Sequence, residues 1–351
     1  MCLYTKLRKN KKYESNKKNG GDIPPLPKIK VNGKWIDDKR VLAVPTKCGK
    51  CIECRKQKAR EWNVRLNEEI RNEKMIGQFV TLTFNEKSFR ELYYESNFKK
   101  GYKKDNEIAR LGVRRFLERW RKEFKKSVKH WLVTEIGGTH SERIHIHGII
   151  WTNEEISNIR KHWRYGYVWV SGENKGWVNE VTVNYITKYI NKQDLKHPNY
   201  ISKIFSSQGI GNGYLKRKDS KNNIYKGIDT DESYINRQGF KMGLPTYLRN
   251  KIYTDEEREK LWQKKLDENV RWVMGQKIDV SNGDEMYKKV RAEARKINKR
   301  LKYGKGDYSD KLKEEEREEN ERRNINHIRN LRNAEEQWKN EASSHKGTEK
   351  F

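Results

Sequence analysis

The amino-acid sequence predicts an α+β domain in which helices are interleaved with antiparallel strands. Residues 78–84, Gln-Phe-Val-Thr-Leu-Thr-Phe, place β-branched and aromatic side chains at a period of two, which is typical of a half-buried strand. Two further strand-like runs, 131–136 and 144–151, are joined by a glycine-containing connection and predict an antiparallel hairpin. Apolar side chains recur at helical spacing before, between and after these runs.

The first regular element is an amphipathic helix with a basic outer side. Ala59, Trp62, Leu66 and Ile70 recur every three or four residues within 55–73, while Arg and Lys fill the other faces. Besides the three strands named above, the expected elements are a helix at 113–124, a short helix at 154–163, a strand at 167–171 and a helix from about 183 to 192.

Composition divides the chain into four segments. Only 33% of the 351 residues are hydrophobic and 36% are charged, so a packed core cannot extend through all of them. We expect residues 1–60 to form a basic arm that carries a cysteine cluster and has little core of its own, with a short hairpin at Asn32-Gly33. The compact core is expected at 61–200, a Gly- and Tyr-rich extension of it at 201–255, and a charged, helical or disordered tail at 256–351.

The charge balance indicates a nucleic-acid partner. Lys and Arg number 79 against 49 Asp and Glu, and the resulting net charge of +30 attracts polyanions. An AT-rich genome would explain the preference for Lys over Arg, but not the excess of bases over acids. The 11 Trp and 18 Tyr residues suit the stacking of unpaired bases.

Two other partner classes are not expected. No apolar run approaches the length of a membrane span, so we expect a soluble protein without a membrane partner that stays where it is made. The glycines at 209–213 follow neither a dinucleotide-binding nor a phosphate-loop pattern, so no ATP site is expected.

The sharpest motif is the pair His145 and His147 in the strand 144–151. Because side chains alternate along a strand, both imidazoles face the same side, where they can hold a divalent ion. Glu135 has the matching parity on the preceding strand, and this mixed nitrogen and oxygen set suits Mg²⁺ or Mn²⁺. The alternative is two ordinary half-exposed histidines and a surface acid, and His140 in the connecting loop is a competing third ligand.

A tandem Tyr-Ile-x-Lys repeat forms the second motif, with Tyr185 and Tyr189 followed three residues later by Lys188 and Lys192. A spacing of four places both phenols on one helix face, so both could reach a single phosphate. Each ammonium could lower the pKa of its phenol or neutralise charge that develops on phosphorus. The alternative is an amphipathic helix that packs Tyr and Ile on the sheet and leaves the lysines in water.

Two equivalent phenols suit a strand-transfer reaction. Attack by one phenolate on a phosphodiester conserves the bond energy as a phosphotyrosine and releases a 3′-hydroxyl for a polymerase. The second phenol can later cut the regenerated site while the first is still esterified, which would release a closed single-stranded circle. Such a transesterification needs no ATP.

Three motifs follow one another along the chain: the strand Phe-Val-Thr-Leu-Thr-Phe, the His-hydrophobic-His strand and the helix with Tyr-x-x-Lys-Tyr-x-x-Lys. In this order they resemble the motifs of the HUH endonucleases, and the doubled tyrosine resembles the replication initiators of microviruses. Similarity to the gokushovirus branch extends to four further segments: Met-Cys-Leu-Tyr at the start, Cys-Gly-Lys-Cys-x-x-Cys-Arg, Gly209-Ile-Gly211 and Gly-Phe-Lys-Met-Gly-Leu-Pro245. The resemblance covers roughly residues 1–255 and leaves the tail unassigned.

The resemblance implies a five-stranded antiparallel sheet flanked by helices, with residues 61–200 as the HUH nickase core. It gives His145 and His147 metal-ligand roles and Tyr185 and Tyr189 nucleophile roles, while Glu135 fits the acidic position often found one strand away. The implied activity is rolling-circle initiation on viral origin DNA, single-stranded or nicked duplex, in the cytoplasm of a bacterial host. A host helicase and polymerase are the implied partners.

The cysteines suggest a structural zinc ion. Cys48, Cys51 and Cys54 offer three closely spaced thiolates, a spacing that favours reduced ligands in a reducing cytoplasm over a disulfide framework. Zinc needs a fourth ligand, and Cys2 is the available one. The resemblance, which includes a Cys at the second position, supports this set. Three reduced thiols in a loop are the alternative.

Two competing functions remain open. A non-catalytic, zinc-stapled protein that coats single-stranded nucleic acid would explain the charge and the cysteines, but not the paired imidazoles or the tandem Tyr-x-x-Lys. An enzyme of the same chemistry in a plasmid initiator or a transposase is the other.

Overall fold

The structure, a computed structural model, describes residues 2–17, 19–96, 101–137, 142–171 and 178–304. These residues form two compact units, one of residues 65–213 and one that joins residues 2–64 to those from Tyr214 onward. The four segments expected from composition do not coincide with these units. The arm and the residues after Tyr214 share buried clusters, which composition does not reveal. Within the described residues no helix is long and apolar enough to cross a membrane.

The helices of the described residues are α1 Ile52–Asn72, α2 Glu86–Glu95, α3 Gly101–Phe124, α4 Ile156–His162, α5 Glu180–Asn191, α6 Thr246–Ile252, α7 Asp255–Asp267 and α8 Glu285–Arg300. Their strands are β1 Lys6–Lys9, β2 Lys28–Val31, β3 Lys34–Asp37, β4 Ala43–Thr46, β5 Gly77–Leu82, β6 Lys129–Ile136, β7 Ile144–Trp151, β8 Val168–Val170, β9 Ile204–Ser206, β10 Ser233–Ile235, β11 Lys241–Gly243, β12 Val270–Val273 and β13 Gln276–Asp279.

Every strand and helix predicted between residues 55 and 192 is present, and most of their ends differ from the prediction by a few residues. Helix α3 is the exception, because it begins at Gly101, well before the predicted start at residue 113. Helix α2 was not predicted. Asn85, which follows the predicted strand 78–84, caps the start of that helix, because its side chain accepts a hydrogen bond from the backbone of Ser88.

The larger sheet has the order β8-β5-β7-β6-β9, and every neighbouring pair is antiparallel. The five-stranded antiparallel sheet with flanking helices is therefore confirmed. The hairpin pairs Glu135 directly with His145 and Val133 with His147, which gives Glu135 the expected parity. Cross-strand partners point to the same face, so both histidines and Glu135 share one side of the sheet.

Alternation along the strands gives this sheet two different faces. Val80, Leu82 and Ile146 are fully buried and form one core cluster with side chains of α3. Their neighbours Thr81 and His147 point to the opposite face, where the side chains of α5 lie over the sheet. One face therefore packs on α3, and the other carries the site beside the buried Trp131, Val133 and Ile149.

Gly148 allows the central strands to approach closely after the His-x-His motif. It pairs with Leu132, and a Cβ atom at this position would lie 2.1 Å from the carbonyl oxygen of Trp131. No side chain fits there without moving the β6 backbone, so the glycine fixes how the motif sits against β6.

The N-terminal hairpin predicted at Asn32-Gly33 is present as β2 and β3. Both turn residues have positive φ, 48° and 79°, as a two-residue hairpin turn of the mirror-image type requires.

Residues 256–304 are more ordered than the expected charged tail. Helices α7 and α8 fit the helical part of that expectation, but the hairpin β12–β13 between them does not. The arm shares a buried cluster with these elements, in which Leu3 and Ile52 pack with Val273, Ile278 and Ala294. The arm therefore has a core. Residues 305–351 lie outside the described residues.

Candidate active site and cysteine cluster

His147 lies at the centre of the candidate site. Its Nε2 atom is 3.0 Å from Oε2 of Glu135 on β6, and its Nδ1 atom is 3.0 Å from the hydroxyl of Thr81 on β5. The Tyr189 ring from α5 stacks on the imidazole, with centroids 4.5 Å apart and planes 4° apart. Three elements thus hold one ring in a fixed orientation.

The Thr81 hydroxyl leaves the tautomer of His147 free to change. Because a hydroxyl donates or accepts, His147 can present Nε2 either as a donor to Glu135 or as a lone pair to a cation. Two ligand atoms of an octahedral ion bound at about 2.1 Å are separated by about 3.0 Å, which is the spacing of Nε2 and the Glu135 oxygen. This pair therefore fits a shared Mg²⁺ or Mn²⁺ ion.

His145 lies on the expected face of the sheet, but its ring packs apart from the His147–Glu135 pair. Its ring lies over Gly137, where a Cβ atom would be 2.5 Å from Cε1, and it hydrogen-bonds the backbone of Arg143. Among the described residues only the cysteines bring three or more donor atoms within 4.8 Å of one another, so His145 does not complete a triad with His147 and Glu135. Burial, with repulsion from His147, lowers its pKa and favours the neutral, metal-binding form. His140 lies outside the described residues.

The two tyrosines meet as the helical spacing predicted. The Tyr189 hydroxyl donates a 2.8 Å hydrogen bond to that of Tyr185, whose side chain is 48% exposed. Burial raises the pKa of the Tyr189 phenol, and the hydrogen bond to Tyr185 and the charge of Glu135 add to the effect. Tyr185 is therefore the more accessible hydroxyl, and Tyr189 is its hydrogen-bond donor.

The structure separates the two lysines of the repeat. Lys192 lies 2.5 Å from Oε1 of Glu135, and this contact raises its pKa. Its ammonium is 5.9 Å from the centre of the Tyr189 ring. Lys188 is exposed on α5, and in the described part of the chain we find no ion pair for it. Lys192 thus joins the site, and Lys188 stands outside it.

Glu135 joins the helix to the strands. Burial raises the pKa of its carboxyl, but hydrogen bonds with His147 and Lys192 outweigh burial, so the pKa is lowered overall. The carboxylate is thus held ionised between the His147 imidazole and the Lys192 ammonium.

Sequence reasoning missed the β5 residues of the site. Thr81 bonds His147, and the Phe79 ring meets that of Tyr185 edge to face at 5.9 Å. The alternation of the 78–84 run already placed both on one face, but the pairing of β5 with β7 was not predicted.

All four cysteines lie together, as their number suggested. Their sulfur atoms lie within 4.8 Å of one another, and those of Cys48 and Cys54 are 3.8 Å apart. Four thiolates bound tetrahedrally at about 2.3 Å would be separated by about 3.8 Å, so the set fits a metal ion such as zinc. Hydrogen bonds among the thiols lower the pKa of Cys2 and raise the pKa of Cys51 and Cys54, so the four groups titrate together.

The residues that hold the cluster in place come from α8 and were not predicted. Arg291 and Arg295 donate to the carbonyl of Leu3, and the fully buried Asn298 accepts from the backbone of Ile52 at the start of α1. No signal in the sequence pairs these distant segments.

Residues 77–194 match the family model of the ORF2-type replication-associated proteins. The Replication-associated protein ORF2 of Spiroplasma virus 4 is 26% identical in an alignment that covers 85% of this chain and 96% of that protein. These matches confirm the resemblance to the microvirus replication initiators. No solved structure matches the chain.

The replication-associated match coincides with the candidate site. All the side chains around His147, from Thr81 on β5 to Lys192 after α5, lie within residues 77–194, whereas the cysteine cluster lies outside this range. The matches support a role in the initiation of viral DNA replication.

Proposed function

We propose that this chain nicks one strand of a viral replication origin and later rejoins it, as a tyrosine nickase of the HUH type. A phenol oxygen attacks the scissile phosphorus, the bond from phosphorus to the 3′ oxygen breaks, and the leaving 3′ oxygen takes up the phenol proton to become a 3′-hydroxyl. The products are a 5′-phosphotyrosine and a primer end for a polymerase. Rejoining reverses the same step, so no ATP is consumed.

The observation that carries this proposal is the contact between the tyrosine pair and His147. Tyr189 stacks on the imidazole at 4.5 Å, and its hydroxyl bonds that of Tyr185. Two candidate nucleophiles therefore share one side of the sheet with a divalent-ion ligand pair, His147 and Glu135.

The side chains divide the chemical work. A Mg²⁺ or Mn²⁺ ion held by His147 and Glu135, with His145 beside them, would neutralise charge on the scissile phosphate. Lys192 keeps Glu135 ionised and adds positive charge at the phenols. Tyr185 offers the accessible hydroxyl, and Tyr189 is a second nucleophile in the same place.

The proposal extends to setting and partners. The substrate would be origin DNA in the cytoplasm of a bacterial host, and the released 3′-hydroxyl requires a host polymerase and a helicase to displace the strand. The net charge of +30 supports the phosphate contacts.

The deciding experiment mixes the protein with labelled single-stranded DNA from its own genome and with Mg²⁺ or Mn²⁺. We expect a protein–DNA adduct that survives denaturation, together with a free 3′-hydroxyl end that a polymerase extends. Tight DNA binding without an adduct in either metal would instead favour the non-catalytic coating protein.

The lysines provide a matched pair of variants. Lys192→Ala should slow adduct formation at least about tenfold, because Glu135 loses its ammonium partner and the phenols lose nearby charge. Lys188→Ala removes the same charge from the same helix and should have a smaller effect. Single-turnover rates of adduct formation measure both effects. An equal loss of rate in the two variants would contradict the conclusion that Lys192 belongs to the site and Lys188 does not.

We further propose that Cys2, Cys48, Cys51 and Cys54 hold a structural zinc ion that joins the N-terminus to α1. The hydrophobic cluster around them and the backbone contacts from α8 support a fixed cage. A cage closed by four protein ligands is typical of structural zinc and leaves no position for a substrate.

Cys2→Ser should remove the zinc and lower the free energy of unfolding by at least about 3 kcal/mol, while the folded fraction still forms adducts. Zinc content by mass spectrometry and thermal melting measure the effect. As a control, a chelator followed by Zn²⁺ should lower and restore the melting temperature of the unmodified chain only. A zinc-free preparation whose melting is unchanged by all four serines would disprove this role.

A further inference from the structure

Strand β8 presents two large aromatic side chains to solvent at the edge of the sheet. Val168 and Val170 are buried, whereas Trp169 between them is 43% exposed and Tyr167 just before the strand is 68% exposed. Alternation therefore turns Tyr167 and Trp169 to the face opposite the core, which is the face that carries the candidate site.

The strand register places Trp169 in the same row as His147. Trp169 pairs with Thr81 across β5–β8, and Thr81 pairs with His147 across β5–β7. Two strand spacings separate Trp169 from His147, or about 10 Å. About three stacked nucleotides span that distance at 3.4 Å each.

A continuous aromatic surface joins β8 to the tyrosines. Phe79 meets Trp169 edge to face at 5.8 Å and Tyr185 edge to face at 5.9 Å. The backbone of Tyr167 is fixed by hydrogen bonds with Thr83 in both directions, at 3.0 and 2.9 Å. The backbone that carries the Tyr167 ring is thus fixed by its pairing with Thr83, and the Trp169 ring is held against Phe79.

We propose that Tyr167 and Trp169 form a stacking site for unpaired bases next to the cut phosphate. This inference rests on the proposed function, since it assigns the bases to the strand that Tyr185 attacks. Unpaired bases expose both faces to aromatic rings, whereas paired bases within a duplex do not. The positive net charge and the continuity with the phosphate-binding side of the sheet favour a DNA strand over a protein partner.

The test separates base stacking from phosphate attraction. In a Tyr185→Phe, Tyr189→Phe chain without added Mg²⁺ or Mn²⁺, we would measure the affinity for a fluorescein-labelled chain of about ten thymidines. The reference is an equally long sugar-phosphate chain without bases. With Tyr167 and Trp169 unmodified, the protein should bind the thymidine chain more tightly than the chain without bases. Trp169→Leu or Tyr167→Leu should reduce this ratio of affinities at least about fivefold. Trp169→Phe, which keeps a ring, should retain most of it.

Matched controls come from exposed rings elsewhere. Trp272→Leu replaces a tryptophan that is 50% exposed, and Tyr94→Leu a tyrosine that is 83% exposed, and both should leave the preference for bases unchanged. An unchanged preference in Trp169→Leu, or equal losses for both probes, would overturn the inference.

Binding without cleavage keeps this test independent of the proposed function. If the unmodified chain forms no adduct but Trp169→Leu still loses the preference for bases, the nickase proposal fails and the stacking site stands. If adducts form and the preference is unaffected, the stacking site alone fails.

Discussion

A chain that carries both Tyr185→Phe and Tyr189→Phe is expected to form no covalent adduct with origin DNA, because both phenol nucleophiles are lost while both rings remain. The stacking on His147 and the contact with Phe79 involve the rings and should persist, so folding and DNA binding should be nearly unchanged. Denaturing gels with labelled origin oligonucleotide measure the adduct, and thermal melting checks the fold.

The single variants divide the reaction into steps. Tyr185→Phe should slow the first cleavage more than Tyr189→Phe, because Tyr185 is the more exposed hydroxyl and burial raises the pKa of Tyr189. Release of closed circles needs a second phenol while the first is esterified, so it should fail in both. Tyr94→Phe, which removes an exposed hydroxyl elsewhere, is the control. Adducts in the double variant would place the nucleophile elsewhere, and circle release by either single variant would remove the reason for the repeat.

The parts of the site that the sequence predicted are those set by local periodicity. A period of two puts His145 and His147 on one face, and a spacing of four brings Tyr185 and Tyr189 together. The register of β6 and β7 follows from their hairpin, so Glu135 could be placed as well. Each of these depends on residues close in the chain.

The features of the site that the sequence did not predict depend on which distant segment of the chain packs against each motif. Lys188 and Lys192 have similar surroundings in the repeat, and the sequence does not show that Glu135 lies beside Lys192. His145 and His147 likewise share a motif, but Thr81 and Tyr189 contact one ring while Gly137 lies beneath the other.

The cysteine-containing unit shows the same limit. The number of cysteines suggested Cys2 as a fourth ligand, since zinc chemistry requires one. The hairpin β12–β13 and the packing of α8 into a core were missed because their few apolar residues, such as Val273 and Ala294, are diluted by charge. They become a core only when the N-terminal segment packs on them.

Because His147 contacts Tyr189 and His145 does not complete that site, the two histidine variants are expected to lose adduct formation to different extents. His147→Ala should lower the rate of adduct formation by about 10²- to 10³-fold, because it removes a metal ligand together with the ring on which Tyr189 stacks. His145→Ala should cost less, since its ring lies over Gly137, and the double variant should abolish cleavage. Omitting Mg²⁺ and Mn²⁺ should also stop cleavage, and adding either ion back should restore only the unmodified chain.

DNA binding provides the reference for this prediction. Phosphate affinity comes from the diffuse positive charge, so it should survive the histidine changes and fall steeply with salt in every variant. Thr81→Val keeps the shape but removes the hydrogen bond to Nδ1 of His147, and should weaken metal affinity about 10- to 100-fold. His130→Asn, on the opposite face of β6, is the control for loss of an imidazole from the same sheet. Full nicking by the double histidine variant in EDTA would exclude a metal role. A larger loss of adduct-formation rate in His145→Ala than in His147→Ala would show that the His145 ring moves from Gly137 into the site when DNA binds.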